Sequence, residues 1–200
     1  MKIIAHRINT INELVTIPKE YGVEIDVRHN PVTNQLYLNH DPGKENQNYD
    51  TLESYLKNYS HGFIIFNIKE AGIESRCLEL ATKYKISKDN YFLLDVEFPY
   101  LYKASRKDGV REIAIRYSEA EPIEMTLAQK GLVGWVWIDT NTMLPLDEIV
   151  INRLKEFKSC LVSPDRWGRP EDITIYKKRI EQLNFNLDAV MVGIEYASLW

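Results

Sequence analysis

Tyr21-Gly22-Val23-Glu24-Ile25-Asp26-Val27-Arg28 is the stretch from which the rest of the chain is best read. A strand turns successive side chains to opposite faces, so Val23, Ile25 and Val27 share one face and Glu24 and Asp26 the other. Two carboxylates on one face of an otherwise apolar strand repel each other and lose hydration. Such a pair needs positive charge beside it, from a divalent metal ion or from basic side chains. His6-Arg7 follows the first apolar run, His40-Asp41 lies a little downstream, and Lys69 follows the third run.

Outward from this strand, short β-branched or aromatic runs alternate with segments of helical spacing. Strands are predicted at Lys2–His6, Val23–Arg28, Phe63–Ile68, Tyr91–Asp95, Glu112–Arg116, Gly134–Asp139, Ser159–Ser163 and Ala189–Gly193. Helices are predicted between them, near Ile11–Ile17, Leu52–Tyr59, Ile73–Tyr84, Pro99–Lys107, Pro122–Lys130, Leu146–Phe157 and Ile173–Leu183. Asp50-Thr51-Leu52-Glu53 reads as a capped helix start, and Asp172 as the cap of the last helix. Strict alternation implies parallel strands joined by crossover helices. Eight such units fit an α/β fold of the compact (β/α)8 TIM-barrel kind, one domain over residues 1–200. The eighth helix is reduced or absent, because only Ile194–Trp200 follow the last predicted strand. The longest irregular connection, residues 29–50, carries His40-Asp41-Pro42-Gly43 and one apolar patch, Leu36-Tyr37-Leu38. A long loop in a small barrel is a functional candidate.

Composition narrows the classes. A 44% hydrophobic and 27% charged content is that of an ordinary globular chain. The net charge of −4, with dispersed basic residues, gives no reason to expect nucleic acid. Two distant cysteines, Cys77 and Cys160, support neither a disulfide framework nor a zinc knuckle. No signal-like or membrane-spanning apolar run occurs, so a cytoplasmic location is expected.

In a barrel the C-terminal strand ends face the active-site mouth. Polar residues gather at those predicted ends: His6 and Arg7; Glu24, Asp26 and Arg28; Asn67 and Lys69; Asp95 and Glu97; Arg116; Asp139. Taken singly, Glu97, Glu119 and Asp139 read as strand exits into solvent. His6, Glu24, Asp26, His40 and Lys69 together make a usable site, suited to attack on a phosphodiester. Glu24 and Asp26 offer hard oxygen ligands to Mg²⁺ or Ca²⁺, and Asn67 an amide oxygen. Arg7 and Lys69 are suited to hold the phosphate, while His6 and His40 divide the proton traffic. Trp135, Trp137 and Asp139 are in phase on one face. The two indoles suit either an aromatic floor for a sugar or choline-like group or simple core packing, and packing is favoured. Arg116 suits a second phosphate or carboxylate contact, or an ion pair with Glu24, Asp26 or Asp95. Ser163-Pro164-Asp165-Arg166 lies where many barrels bind phosphate, by analogy alone.

The motifs Ala5-His6-Arg7, Gly22-Val23-Glu24-Ile25-Asp26-Val27, Asn39-His40-Asp41 and Asn67-Ile68-Lys69 resemble, in order and spacing, those of the glycerophosphodiester phosphodiesterases. The same skeleton is similar to the wider phosphatidylinositol-phospholipase-C-like superfamily, which includes sphingomyelinase D type enzymes. The resemblance covers the first 70 residues, about a third of the chain. It implies a (β/α)8 barrel and a metal-dependent hydrolase acting on a small polar phosphodiester, yielding a phosphomonoester and an alcohol. It places Glu24 and Asp26 as metal ligands, His6 and His40 as acid and base, and Arg7 and Lys69 on the phosphate. Two other outcomes stay open: a lyase that stops at a cyclic phosphate, and a catalytically silent barrel binding a phosphorylated or carbohydrate ligand.

Three departures from the family pattern accompany it. The usual His-Arg-Gly reads His6-Arg7-Ile8, so the backbone after Arg7 is less able to take a conformation reserved for glycine. The third acidic ligand, two residues before the lysine, is Asn67, which predicts weaker metal binding. Only the Asn30–Asp50 loop stands where the family inserts a substrate-covering subdomain, which predicts a more open pocket.

Overall fold

Strand β1 (Lys2–Ala5) sits at the middle of a curled parallel sheet. On one side it is followed by β2 (Gly22–Asn30), β4 (Phe63–Ile68) and β5 (Tyr91–Leu94). On the other come β9 (Ala189–Val192), β8 (Lys158–Val162), β7 (Trp135–Ile138) and β6 (Ala114–Tyr117). The outermost strands meet through one parallel bridge between Leu93 and Ile113, with the Leu93 amide donating to the Glu112 carbonyl at 2.9 Å. Closure at this thin seam makes an eight-stranded parallel barrel, as predicted. This is a computed structural model that describes residues 1–44 and 47–200. Glu45 and Asn46, inside the predicted 29–50 connection, lie outside the described residues.

Helices cross over between the strands: α1 (Ile11–Leu14), α2 (Leu52–Asn58), α3 (Glu74–Lys83), α4 (Phe98–Arg106), α5 (Ile123–Leu127), α6 (Glu148–Leu154) and α7 (Asp172–Gln182). Among the described residues only a 3-10 segment, Ile194–Leu199, follows β9, in keeping with a reduced eighth helix. Thr51 caps α2 by accepting from the Ser54 amide, as the Asp50-Thr51 signal implied. The expected cap at Asp172 is corrected: Asp172 is the first helical residue, and its carboxylate pairs with Arg169 at 2.6 Å instead. The 29–50 connection is corrected as well. Strand β2 runs on to Asn30, and Leu36-Tyr37-Leu38 belong to β3 (Gln35–Leu38), antiparallel to it. The turn between them is closed by Asn34 in the left-handed region, φ 54°.

Period two sorts the side chains. Val23, Ile25 and Val27 face the helices and join an outer core with Leu52, Tyr55 and Phe66. The inward face is filled from below by Ile4, Phe63, Ile65, Phe92, Trp135, Cys160 and Met191. Gly22 has to be glycine there: a Cβ would lie 2.5 Å from Ile4 Cδ1 and 2.8 Å from the Phe63 carbonyl oxygen. On this inward face Phe63 and Trp135 meet edge-to-face, centroids 5.2 Å apart, and plug the barrel. Below the plug the inward face ends in Lys2 and Lys158, stacked on the Phe63 and Trp135 rings at 5.5 and 5.7 Å, and above it come the polar residues of the barrel mouth.

Candidate active site

Above the plug a cavity of about 150 Å³ gathers His6, Arg7, Glu24, Asp26, His40, Asn67 and Lys69. Asp95, Arg116, Trp137 and Asp139 form the facing wall, with Asn141, Arg166 and Trp167 at the rim. The proposed catalytic, phosphate and metal residues His6, His40, Arg7, Lys69, Arg116, Glu24, Asp26 and Asn67, with Trp137, thus line one space at the C-terminal strand ends, whereas Trp135 and Ser163-Pro164-Asp165 do not.

The turn after β1 is built on Glu24. The His6 amide donates to the Val192 carbonyl at 3.0 Å, extending the β1–β9 ladder by one residue. Arg7 then turns into the left-handed region at φ 59°, and its amide donates to Glu24 Oε2 at 2.8 Å. The Ile8 amide donates to the Glu24 carbonyl at 2.9 Å, and its side chain enters the core. The conformation expected to trouble Ile8 is carried by Arg7 instead. The other Glu24 oxygen, Oε1, accepts from Asn67 Nδ2 at 2.8 Å. Asp26 is held by Asn9, whose amide nitrogen donates to Oδ2 at 2.9 Å while its oxygen accepts from the Asp26 backbone at 2.8 Å. No sequence pattern pointed to Asn9. Lys69 Nζ stands 2.9 Å from Asp26 Oδ1, and Arg7 Nε 3.7 Å from Oδ2.

These contacts set the protonation states. Glu24 is pushed up to about 7 by burial and then by the Asp26 charge, against the pull of Asn67, Arg7 and Lys69. His6 is drawn down to about 4, chiefly by burial, then by the positive charges of Arg166 and Arg7. It is a neutral imidazole near pH 7, 4.0 Å from Glu24. His40 is more open, 41% exposed in its side chain, with Nδ1 2.9 Å from Asp41 Oδ1. Its carbonyl accepts from Arg28 Nε at 3.1 Å and Nη2 at 2.8 Å, while Arg28 Nη1 pairs with Glu70 at 3.0 Å. Arg28 thereby pins the His40 loop to β2.

The facing wall centres on Arg116, which grips Asp95 through Nε at 2.6 Å and Nη2 at 3.0 Å, and Asp139 through Nη1 at 2.8 Å. Of the two alternatives open to Arg116 in the sequence, the structure shows the ion pair, with a second partner, Asp139. Asp139 also accepts from Trp167 Nε1 at 2.8 Å, so this strand end is a structural junction rather than an exit into solvent. Trp137 is 3% exposed and packs against Phe92, centroids 6.3 Å apart, with its edge toward the cavity. Trp135 lies wholly in the plug.

The donor set suits a hard divalent cation. Glu24 and Asp26 are both buried, and Asn67 Oδ1 is buried beside them with no hydrogen-bond partner among the described residues. Among the described residues no group of three His, Cys, Asp or Glu side chains is placed to hold a metal, so a cation between Glu24 and Asp26 would draw any third protein ligand from the Asn67 amide.

The fold is that of solved phosphodiesterases. The chain is similar to a glycerophosphodiester phosphodiesterase from Agrobacterium tumefaciens str. C58, with a TM-score of 0.69 at 13% identity over 99% of each chain. It is similar to an Oleispira antarctica phosphodiesterase in complex with the product sn-glycerol-3-phosphate, with a TM-score of 0.66 at 17% identity over 100% of this chain and 95% of that one. For a glycerophosphoryl diester phosphodiesterase from Parabacteroides distasonis ATCC 8503 the TM-score is 0.65 at 14% identity, over 99% of this chain and 85% of that one. No family model and no curated protein sequence matches the chain. At such identities the likeness establishes a shared fold, and the reading of the site rests on this chain's own residues.

Proposed function

We propose that this chain is a phosphodiesterase that cleaves a small polar phosphodiester to a phosphomonoester and an alcohol. One observation carries the reading: two histidines, two buried carboxylates, Arg7 and Lys69 converge on one cavity at the mouth of a barrel shared with phosphodiesterases. Glu24, Asp26 and Asn67 would hold a divalent cation, Mg²⁺ or Ca²⁺, which when bound supplies charge neutralisation and Lewis acidity at the phosphate.

The chain's own groups do the rest. His6, kept neutral by burial and by Arg166, takes the proton from the attacking oxygen. His40 donates Nδ1–H to Asp41, and its imidazolium form, supported by that carboxylate, presents Nε2–H to protonate the departing alcohol oxygen. Arg7 and Lys69 sit beside Asp26, where they face the anionic diester. Whether water or a neighbouring substrate hydroxyl attacks decides between simple hydrolysis and a cyclic phosphate.

The test is turnover of glycerophosphodiesters and bis(4-nitrophenyl) phosphate with Mg²⁺, Ca²⁺ or Mn²⁺, against a chelated control. Cation-stimulated release of alcohol, lost by at least about a hundredfold in His6→Ala and in His40→Ala, is the expected result. The direct Asp26–Lys69 contact and the neutral Asn67 favour a second reading, a silent barrel that only binds such ligands. Phosphate-ester binding without turnover under any cation would establish that reading instead.

A further inference from the structure

Four cationic side chains line the cavity, and three of them are committed. Lys69 lies 2.9 Å and Arg7 3.7 Å from Asp26 oxygens, and Arg116 is clamped between Asp95 at 2.6 Å and Asp139 at 2.8 Å. The fourth, Arg166, has no carboxylate within ion-pairing distance and no side-chain hydrogen bond among the described residues. Its only partner is the face of Trp167, with the guanidinium carbon 5.4 Å from the ring centroid. That stacking leaves the N–H edge of the fork unspent.

The surrounding backbone makes Arg166 a placed residue rather than a loose one. It follows β8 inside a tight 3-10 turn, Pro164–Trp167, ended by Gly168 at φ 73°. The turn is tied down twice: Asp165 Oδ2 accepts from the Gly193 amide at 2.9 Å, and Trp167 Nε1 donates to Asp139 at 2.8 Å. The cavity's formal charges then show what is missing. Asp26, Asp95 and Asp139 are ion-paired with Arg7, Lys69 and Arg116, and both Glu24 oxygens are taken by the Arg7 and Asn67 amides, so no acid of the cavity is left for Arg166. An unpaired guanidinium at the rim of a site for a monoanion has that monoanion as its natural partner.

We infer that Arg166, the last residue of the Ser163–Arg166 stretch that the sequence marked by analogy alone, is a substrate-binding residue that takes a non-bridging oxygen of the phosphodiester, a part the sequence also offered to Arg116. The inference rests on the phosphodiesterase reading for its substrate, but anion binding tests it independently. Arg116 stays a positioning residue that braces the wall carrying Trp167.

The experiment measures affinity for inorganic phosphate by calorimetry, and kcat and KM for bis(4-nitrophenyl) phosphate, in wild type, Arg166→Ala, Arg166→Gln and Arg166→Lys. Thermal melting confirms that each variant is folded, which is expected of a side chain with no protein hydrogen bond. Phosphate affinity and kcat/KM should fall about tenfold or more in Arg166→Ala and Arg166→Gln. Arg166→Lys should be intermediate, and added guanidinium should restore part of the loss in Arg166→Ala. Affinity and kcat/KM within twofold of wild type in both Arg166→Ala and Arg166→Gln overturn the assignment and leave the hydrolase reading standing. A wild type that binds phosphate through Arg166 but turns nothing over overturns the hydrolase reading and supports the assignment. Neither binding nor turnover in wild type overturns both.

Discussion

At the residue scale, Asn67 is the residue with the largest consequence. Its amide nitrogen satisfies Glu24 at 2.8 Å, and its buried oxygen is left without a partner. Replacing it by glutamate puts a third carboxylate beside two buried ones. Asn67→Glu should therefore lower the melting temperature in the absence of divalent ions, by the equivalent of about 3 kcal/mol or more. It should also tighten Mn²⁺ or Mg²⁺ binding roughly tenfold or more. Calorimetric titration and melting with and without cation check both halves, and unchanged cation affinity would remove Asn67 from the ligand set. His6 gives a second prediction. Its folded value near 4 lies below the ordinary 6.5, so the fold prefers the neutral ring. That contribution to stability is complete above about 6.5 and is lost as pH falls toward 4. Imidazole resonances followed by NMR should show His6 unprotonated down to about pH 5, and Arg166→Ala should move its midpoint upward. A midpoint of 6.5 or above would contradict the burial argument.

At the element scale, the site depends on β2 lying close against its neighbours. Gly22 starts the inward row that continues as Glu24 and Asp26, and β4 carries Asn67 in register opposite Asp26. Gly22→Ala puts a methyl group 2.8 Å from the Phe63 carbonyl oxygen, a backbone atom that cannot swing aside. The expected cost is about 1–3 kcal/mol, read as a lower urea midpoint, with turnover falling because the Glu24/Asp26 row shifts with the strand. The positive φ angles belong to this scale too. Arg7 at 59° and Asp95 at 59° stand just past the ends of β1 and β5, where the chain turns sharply enough to aim each side chain across the mouth.

At the scale of the whole molecule, closure is uneven. β2 and β4 pair over six consecutive residues, whereas β5 and β6 share one bridge at Leu93 and Ile113. Amides of β6 should exchange with solvent faster than those of β2 and β4, and hydrogen exchange by mass spectrometry reads this directly. Equal protection across the seam would mean that packing of Phe92 against Trp135 holds it as firmly as hydrogen bonds do.

Much of this was legible from residue types alone. Period two in Val23–Val27 put the carboxylates on a shared face, and the alternation of strand and helix signals announced the barrel with its strands in place. The limits of the reading are equally physical. Leu36-Tyr37-Leu38 looked like loop because its strand pairs antiparallel within a polar connection, outside the β-α period. Asn9 carried no signal because its role is a pair of hydrogen bonds to a residue 17 positions away.

By itself, then, the sequence determined the barrel, the residues at its mouth and the chemistry they suit, because side-chain periodicity and residue type are local properties. Only the tertiary structure decided which charges cancel. It clamped Arg116 between Asp95 and Asp139, laid the Arg7 amide on Glu24, and left Arg166 open. Ion pairing depends on distances between strands far apart in the chain, and no local pattern encodes those.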